Sequence, residues 1–183
     1  MNEQSNIESL HPLLQQALVS RSAVFNMDCM EFMKDVPDKF FNLAVVDPPY
    51  GIDIAEKLAN GWVSKAGGTK FEAKDWDKYT PTQEYWDELF RVSKNQIVWG
   101  GNYFMSKIKR DSPCWIFWDK NNGDSLFADG EMAWTSFDSP VRLAKIHWCG
   151  SAAKHETGQK IITIGLLQVN GHVYAGARCR HDR

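Results

Sequence analysis

The sequence predicts an α/β fold, and three observations carry that expectation. Short apolar runs of strand length alternate with segments of helical periodicity, the runs end in turn residues, and no repeat or low-complexity stretch breaks the alternation.

Taken in order, residues 8–20 place Leu10, Leu13, Leu14, Ala17 and Leu18 at helical spacing, an amphipathic helix with Pro12 near its start. Residues 22–27 read as a short strand, residues 30–36 as a helix stopped by Pro37, and residues 42–46 as an apolar strand. Thr80-Pro81 opens a helix whose apolar side is Tyr85, Leu89, Phe90 and Val92 and which ends at Ser93. A strand at 96–99, a helix at 102–109 and a strand at 114–118 follow. Residues 131–137 and 141–149 are expected to pair as an antiparallel hairpin, and 160–167 to form a strand.

With 183 residues and 43% hydrophobic content, the chain fits one domain with a real core. No apolar stretch approaches the roughly 20 residues of a membrane helix, and the N-terminus lacks a basic-then-apolar signal, so a cytoplasmic location without membrane contact is expected. The four cysteines, Cys29, Cys114, Cys149 and Cys179, are too scattered for a zinc site and read as reduced thiols. His147 and His155 have no partnering ligand pattern, and no metal is assigned. The formal net charge of −2 does not favour nucleic-acid binding, which draws on clustered cations. Local charge differs: Lys57, Lys65, Lys70, Lys74 and Lys78 recur with Trp62, Phe71 and Trp76 between them. That segment reads either as a loop touching phosphate or closing over substrate, or as a solvated loop.

The chemistry concentrates where the run Asn42-Leu43-Ala44-Val45-Val46 meets Asp47-Pro48-Pro49-Tyr50-Gly51. Consecutive prolines fix φ near −65° and donate no N–H, so the turn gathers carbonyl acceptors beside a carboxylate that only accepts. An exocyclic amino group on a nucleobase carries two hydrogens. Holding both on Asp47 and the Pro48 carbonyl would aim the nitrogen lone pair at an electrophile, and Tyr50 offers a flat face for the base. Base chemistry needs the base extruded into such a pocket.

The elbow resembles motif IV of the amino-methyltransferases that modify adenine N6 or cytosine N4 in DNA with S-adenosylmethionine. The resemblance starts at Asn26-Met27-Asp28-Cys29-Met30-Glu31 and takes in Arg91-Val92-Ser93-Lys94-Asn95-Gln96-Ile97-Val98-Trp99-Gly100-Gly101-Asn102-Tyr103-Phe104. It continues through Trp115-Ile116-Phe117-Trp118-Asp119-Lys120 and Phe127-Ala128-Asp129-Gly130-Glu131-Met132-Ala133-Trp134-Thr135-Ser136-Phe137 to about Gly150. The chain is similar to solitary methylases carried by phages and prophages. The resemblance implies a Rossmann-like methyltransferase fold, a catalytic region over residues 1–150, DNA as partner and S-adenosylmethionine as methyl donor. It implies catalytic roles for Asp47, Pro48, Pro49 and Tyr50, and a cofactor-binding role for Asp28 and Asp47. Adenine N6 is preferred over cytosine N4 because the elbow begins with Asp rather than Ser.

Two further features carry double readings. Asp28 follows a strand and precedes a helix, where it serves either as an N-cap or, as the family implies, beside the cofactor. Gly100-Gly101 after a strand allows close approach of a ligand to the backbone or marks a tight turn, with Asn102 placed to shape the pocket. Trp115, Trp118 and Trp134 alternate with apolar residues and read as core rather than as stacking platforms.

Related methyltransferases with this motif order carry their Gly-rich cofactor turn after the target-recognition region, and residues 151–183 contain none. Those residues read as a divergent tail, and the chain as C-terminally truncated with the cofactor-binding half missing. A sheet edge would then lie open, to be covered by self-association, a partner chain or the tail's own strand. The alternative to an active methylase is a catalytically silent remnant that retains nucleic-acid binding; RNA or protein-glutamine substrates are a lesser variant.

Overall fold

A computed structural model describes residues 12, 14–15, 22–25, 27–53, 56, 77–121, 128–145, 165–166 and 174–177. The elements are β1 (Ser22–Phe25), α1 (Cys29–Lys34), β2 (Phe41–Val46), α2 (Gln83–Val92) and β3 (Ser93–Trp99). A 3-10 turn (Gly101–Tyr103), α3 (Met105–Ile108), β4 (Trp115–Asp119), β5 (Gly130–Thr135) and β6 (Arg142–Lys145) follow. The tail adds β7 (Gly165–Leu166) and β8 (Tyr174–Ala177). This is an α/β fold around an open mixed sheet in the order β6-β4-β5-β3-β2, with the two-residue β7 added outside β2.

Of the two places where β2 could pair, one faces β3 in parallel, with Val45 opposite Ile97 and Val46 opposite Val98. Both strands therefore end on the same edge, where β2 passes into Asp47 and β3 into Gly100. The outer side of β2 is taken at Ala44 and Val45 by β7, running antiparallel, so the tail covers part of the edge that the sequence left open. β1 pairs in parallel with β8 as a separate two-stranded sheet.

α2 forms because its apolar residues recur on one side, and it buries Tyr85, Trp86, Leu89, Phe90 and Val92. Thr82 is its N-cap, so Pro81 stands one place before the cap rather than in the first turn. The helix runs straight into β3: Ser93 turns extended, and its hydroxyl donates to the Leu89 carbonyl at 2.5 Å, stopping the helix. Arg91 ties α2 to α1 by donating to the Met33 and Val36 carbonyls, each at 2.7 Å, near the end of α1. Glu88 and Asp38 hold the guanidinium at 2.7 and 2.8 Å and push its pKa above the ordinary arginine value. The core beneath includes Trp86, Phe104 and Trp134, each at most 1% exposed. Burying side chains of this size contributes about 1.5–3 kcal/mol apiece.

Several expectations need correction. The hairpin of 131–137 with 141–149 does not form: β5 lies between β3 and β4, antiparallel to both, and β6 runs parallel to β4 on its far side. The connection after β5 is drawn back across the start of β4, where the Thr135 hydroxyl donates to the Cys114 carbonyl at 2.6 Å and the Ser139 hydroxyl to Cys114 Sγ at 3.2 Å. The expected helix at 102–109 is split, because Phe104 leaves helical geometry at φ −117° to bury its ring and Lys109 at φ 50° ends α3. Trp134 is core and the half-buried Trp115 packs against the core cluster, while Trp118 is half-buried. Cys29 is disulfide-bonded rather than a reduced thiol, while Cys114 is free and buried. Of the helix at 8–20, Pro12, Leu14 and Gln15 are described, all helical, with Leu14 buried. Lys57, Lys65, Lys70 and Lys74 of the lysine-rich segment lie outside the described residues, as do His147 and His155. Among the described residues no helix is long and apolar enough to cross a membrane.

Candidate functional site

At the end of β2 the chain leaves the core within one residue. Val46 is fully buried, Asp47 and Tyr50 are half-buried, and Pro48 and Pro49 between them are buried. Gly51 then adopts φ 68°, a left-handed conformation that suits glycine, and turns the chain against Thr80.

The elbow is held from behind by a residue the sequence did not single out. Asp77, 1% exposed, accepts the Tyr50 N–H at 2.7 Å and the Gly51 N–H at 3.1 Å on one carboxylate oxygen, and its carbonyl accepts the Asp53 N–H at 3.0 Å. Two adjacent amides aimed at one anionic oxygen fix the turn by charge-assisted bonds. The only hint in the sequence was an acidic residue shortly before Thr80-Pro81, which any solvated loop can carry.

Tyr50 is fixed in side chain as well as backbone. Its hydroxyl donates to Asp47 Oδ1 at 2.7 Å. Its ring stacks on Tyr103 with centroids 4.9 Å apart and planes 13° apart, and meets Phe104 edge-on at 6.0 Å. Gly100 lies against the same ring at φ 66°, and a Cβ there would stand 2.2 Å from Tyr50 Cε1. Here, at the Gly100-Gly101 pair, the close approach that the sequence allowed for a ligand is made by the protein's own tyrosine. Burial first, and then the neighbouring Asp47 carboxylate, push the Tyr50 phenol well above its ordinary range, with Glu131 adding to the effect. Glu131 is itself paired to Lys120 at 2.6 Å.

Tyr85 is a second residue the sequence assigned only to packing. Its hydroxyl is buried without a hydrogen-bond partner among the described residues, and Asp47 adds to the burial that raises its phenol. A tyrosine in place of phenylalanine on the buried side of α2 was the available signal. Beyond Tyr103, Lys107, Lys109 and Arg110 cluster on α3 and just after it; Lys109 and Arg110 are exposed, and the Arg110 guanidinium lies 3.9 Å from the Phe90 ring centroid.

Asp47, Pro48, Pro49 and Tyr50 thus stand together in one braced turn. Asp28 does separate work, since its Oδ1 accepts the Met30 N–H at 2.7 Å and the Glu31 N–H at 3.3 Å and so caps α1. Asn102 is exposed in the 3-10 turn. A seat for S-adenosylmethionine needs backbone that a ligand can approach, and the described glycines do not provide it. The space beside Gly51 is filled by Thr80, beside Gly100 by Tyr50, beside Gly101 by Trp134, and beside Gly130 by Phe117 and the Trp118 carbonyl. Gly51, Gly100, Gly101 and Gly130 therefore leave no open backbone for the methyl donor.

No protein-family model matches this sequence, and no curated protein matches it.

Proposed function

We propose that this chain acts on the exocyclic amino group of a nucleobase in DNA, adenine N6 in preference to cytosine N4, in the manner of the S-adenosylmethionine-dependent DNA amino-methyltransferases it resembles. The observation that supports this most is the Asp47 carboxylate at the end of β2, in a turn that Asp77 braces and Tyr50 lines. Asp47 and the Pro48 carbonyl accept the two amino hydrogens, and Tyr50 sets the plane of the base. Lys107, Lys109 and Arg110 are suited to the flanking phosphates. In this reading the fold is Rossmann-like, DNA is the partner, and the protein works in the cytoplasm.

The filled glycines favour a second reading of the same site, in which the chain holds a base without methylating it unaided. Both readings rest on Asp47. The test is binding of an adenine-rich single-stranded oligonucleotide beside a labelled-methyl assay on mixed-sequence DNA, with wild type and Asp47→Ala. Binding lost in the variant supports the elbow as the base site; equal binding and equal transfer in both proteins would overturn it. Methyl transfer by wild type alone selects the active methylase over the silent binder.

A further inference from the structure

Building on that base-binding reading, we propose that Tyr103 is a stand-in for the extruded base, stacked on Tyr50 where an amino-bearing purine would lie and displaced when the purine enters. The two stacked rings are held unequally. Tyr50 is anchored through its N–H by Asp77, through its hydroxyl by Asp47, and along its edge by Phe104. Tyr103 belongs to a three-residue 3-10 turn and is 46% exposed.

Geometry also limits where a base can stack. Gly100 packs against Tyr50 so closely that no Cβ fits between them. A base stacked on the Tyr50 face that Tyr103 now covers would take the same place, at a centroid separation of 4.9 Å that falls in the ordinary range for stacked aromatics. A purine and Tyr103 therefore compete for one position. Once Tyr103 swings outward, its ring moves further into the solvent that already reaches it, while Tyr50 keeps its anchors.

The consequence is a site that excludes loosely presented bases, because entry must replace one aromatic contact with another. The experiment is a calorimetric titration of the full chain with adenosine, using wild type, Tyr103→Ala and Tyr103→Phe, each checked for folding by circular dichroism. Tyr103→Ala should bind about 2- to 10-fold more tightly, the equivalent of one aromatic pair no longer broken. Tyr103→Phe, which keeps the ring, should match wild type and shows that the competitor is the ring rather than the hydroxyl. Adenosine binding that Tyr103→Ala leaves unchanged or weakens overturns the stand-in role while leaving the base site in place. Absence of binding by all three proteins overturns the base site itself, and the stand-in role with it.

Discussion

The Tyr50 hydroxyl donates a 2.7 Å hydrogen bond to Asp47 Oδ1, so the residue expected to stack on a base also occupies the carboxylate expected to receive the base's amino group. The two functions of the elbow are coupled through one phenol. Tyr50→Phe keeps the ring and removes this bond to Asp47, so it should lower stability by about 1.5–3 kcal/mol, the range for a bond to a charged acceptor, without weakening adenosine binding. Tyr50→Ala removes the stacking plane and should weaken binding by about 1–3 kcal/mol. Denaturant melts with parallel titrations separate the two variants, and equal affinity losses would place the hydroxyl in the binding step.

Asp77 organises the turn without reaching the base. Replacing it by Ala leaves the Tyr50 and Gly51 amides without their acceptor, and should cost about 2–3 kcal/mol of stability. Asp77→Asn retains an acceptor oxygen and should lose less than half as much. Urea midpoints of the two variants check the ordering; a neutral Asp77→Ala would mean that the prolines hold the elbow unaided.

Gly100 makes a sterically sharper test. Alanine there must adopt φ 66° and place its Cβ within the Tyr50 ring, and the conformational and packing costs together should reach about 2–4 kcal/mol. Displacement of Tyr50 should appear as lost near-ultraviolet tyrosine dichroism, together with lost adenosine binding.

The sequence made the elbow legible because its parts are contiguous: strand, carboxylate, two prolines and tyrosine stand side by side, and each has a fixed local consequence. α2 was legible through periodicity, and β3 through its apolar run. What brings Asp77 to Tyr50 and Tyr103 onto Tyr50 is tertiary, with separations of 27 and 53 positions that no local pattern encodes. The order of β5 and β6 was misread because adjacent strands are expected to pair, whereas here the contacts of Thr135 and Ser139 with Cys114 lead the chain past β4 to its free side. Asp28 illustrates the opposite case, where a local reading as an N-cap sufficed to describe the hydrogen bonds found.

Alkaline pH should destabilise the fold through two phenols. Tyr50 and Tyr85 are both raised above the ordinary tyrosine value of 10.0, each chiefly by burial and further by Asp47. The folded chain then keeps protons that the unfolded chain has released, so their contribution is fully present below about pH 10 and declines as pH rises above it. Denaturant midpoints measured from pH 8 to about pH 11 should fall at the upper end, and Tyr50→Phe and Tyr85→Phe should each flatten the fall. A midpoint that stays level in wild type would mean that neither phenol is held protonated by the fold.

The methyl donor provides the final prediction. Asp28 spends one carboxylate oxygen on the cap of α1, and the four described glycines with neighbours in contact range are filled by the protein's own atoms. S-adenosylmethionine should therefore bind weakly or not at all to this chain, while adenosine, which needs the elbow alone, still binds. Calorimetric titration with each ligand separates these outcomes. Micromolar binding of S-adenosylmethionine accompanied by methyl transfer would show that residues outside those described complete a cofactor seat. Silence with S-adenosylmethionine, relieved by appending the cofactor-binding half of a related methylase, would show that the elbow was competent and lacked only its methyl donor.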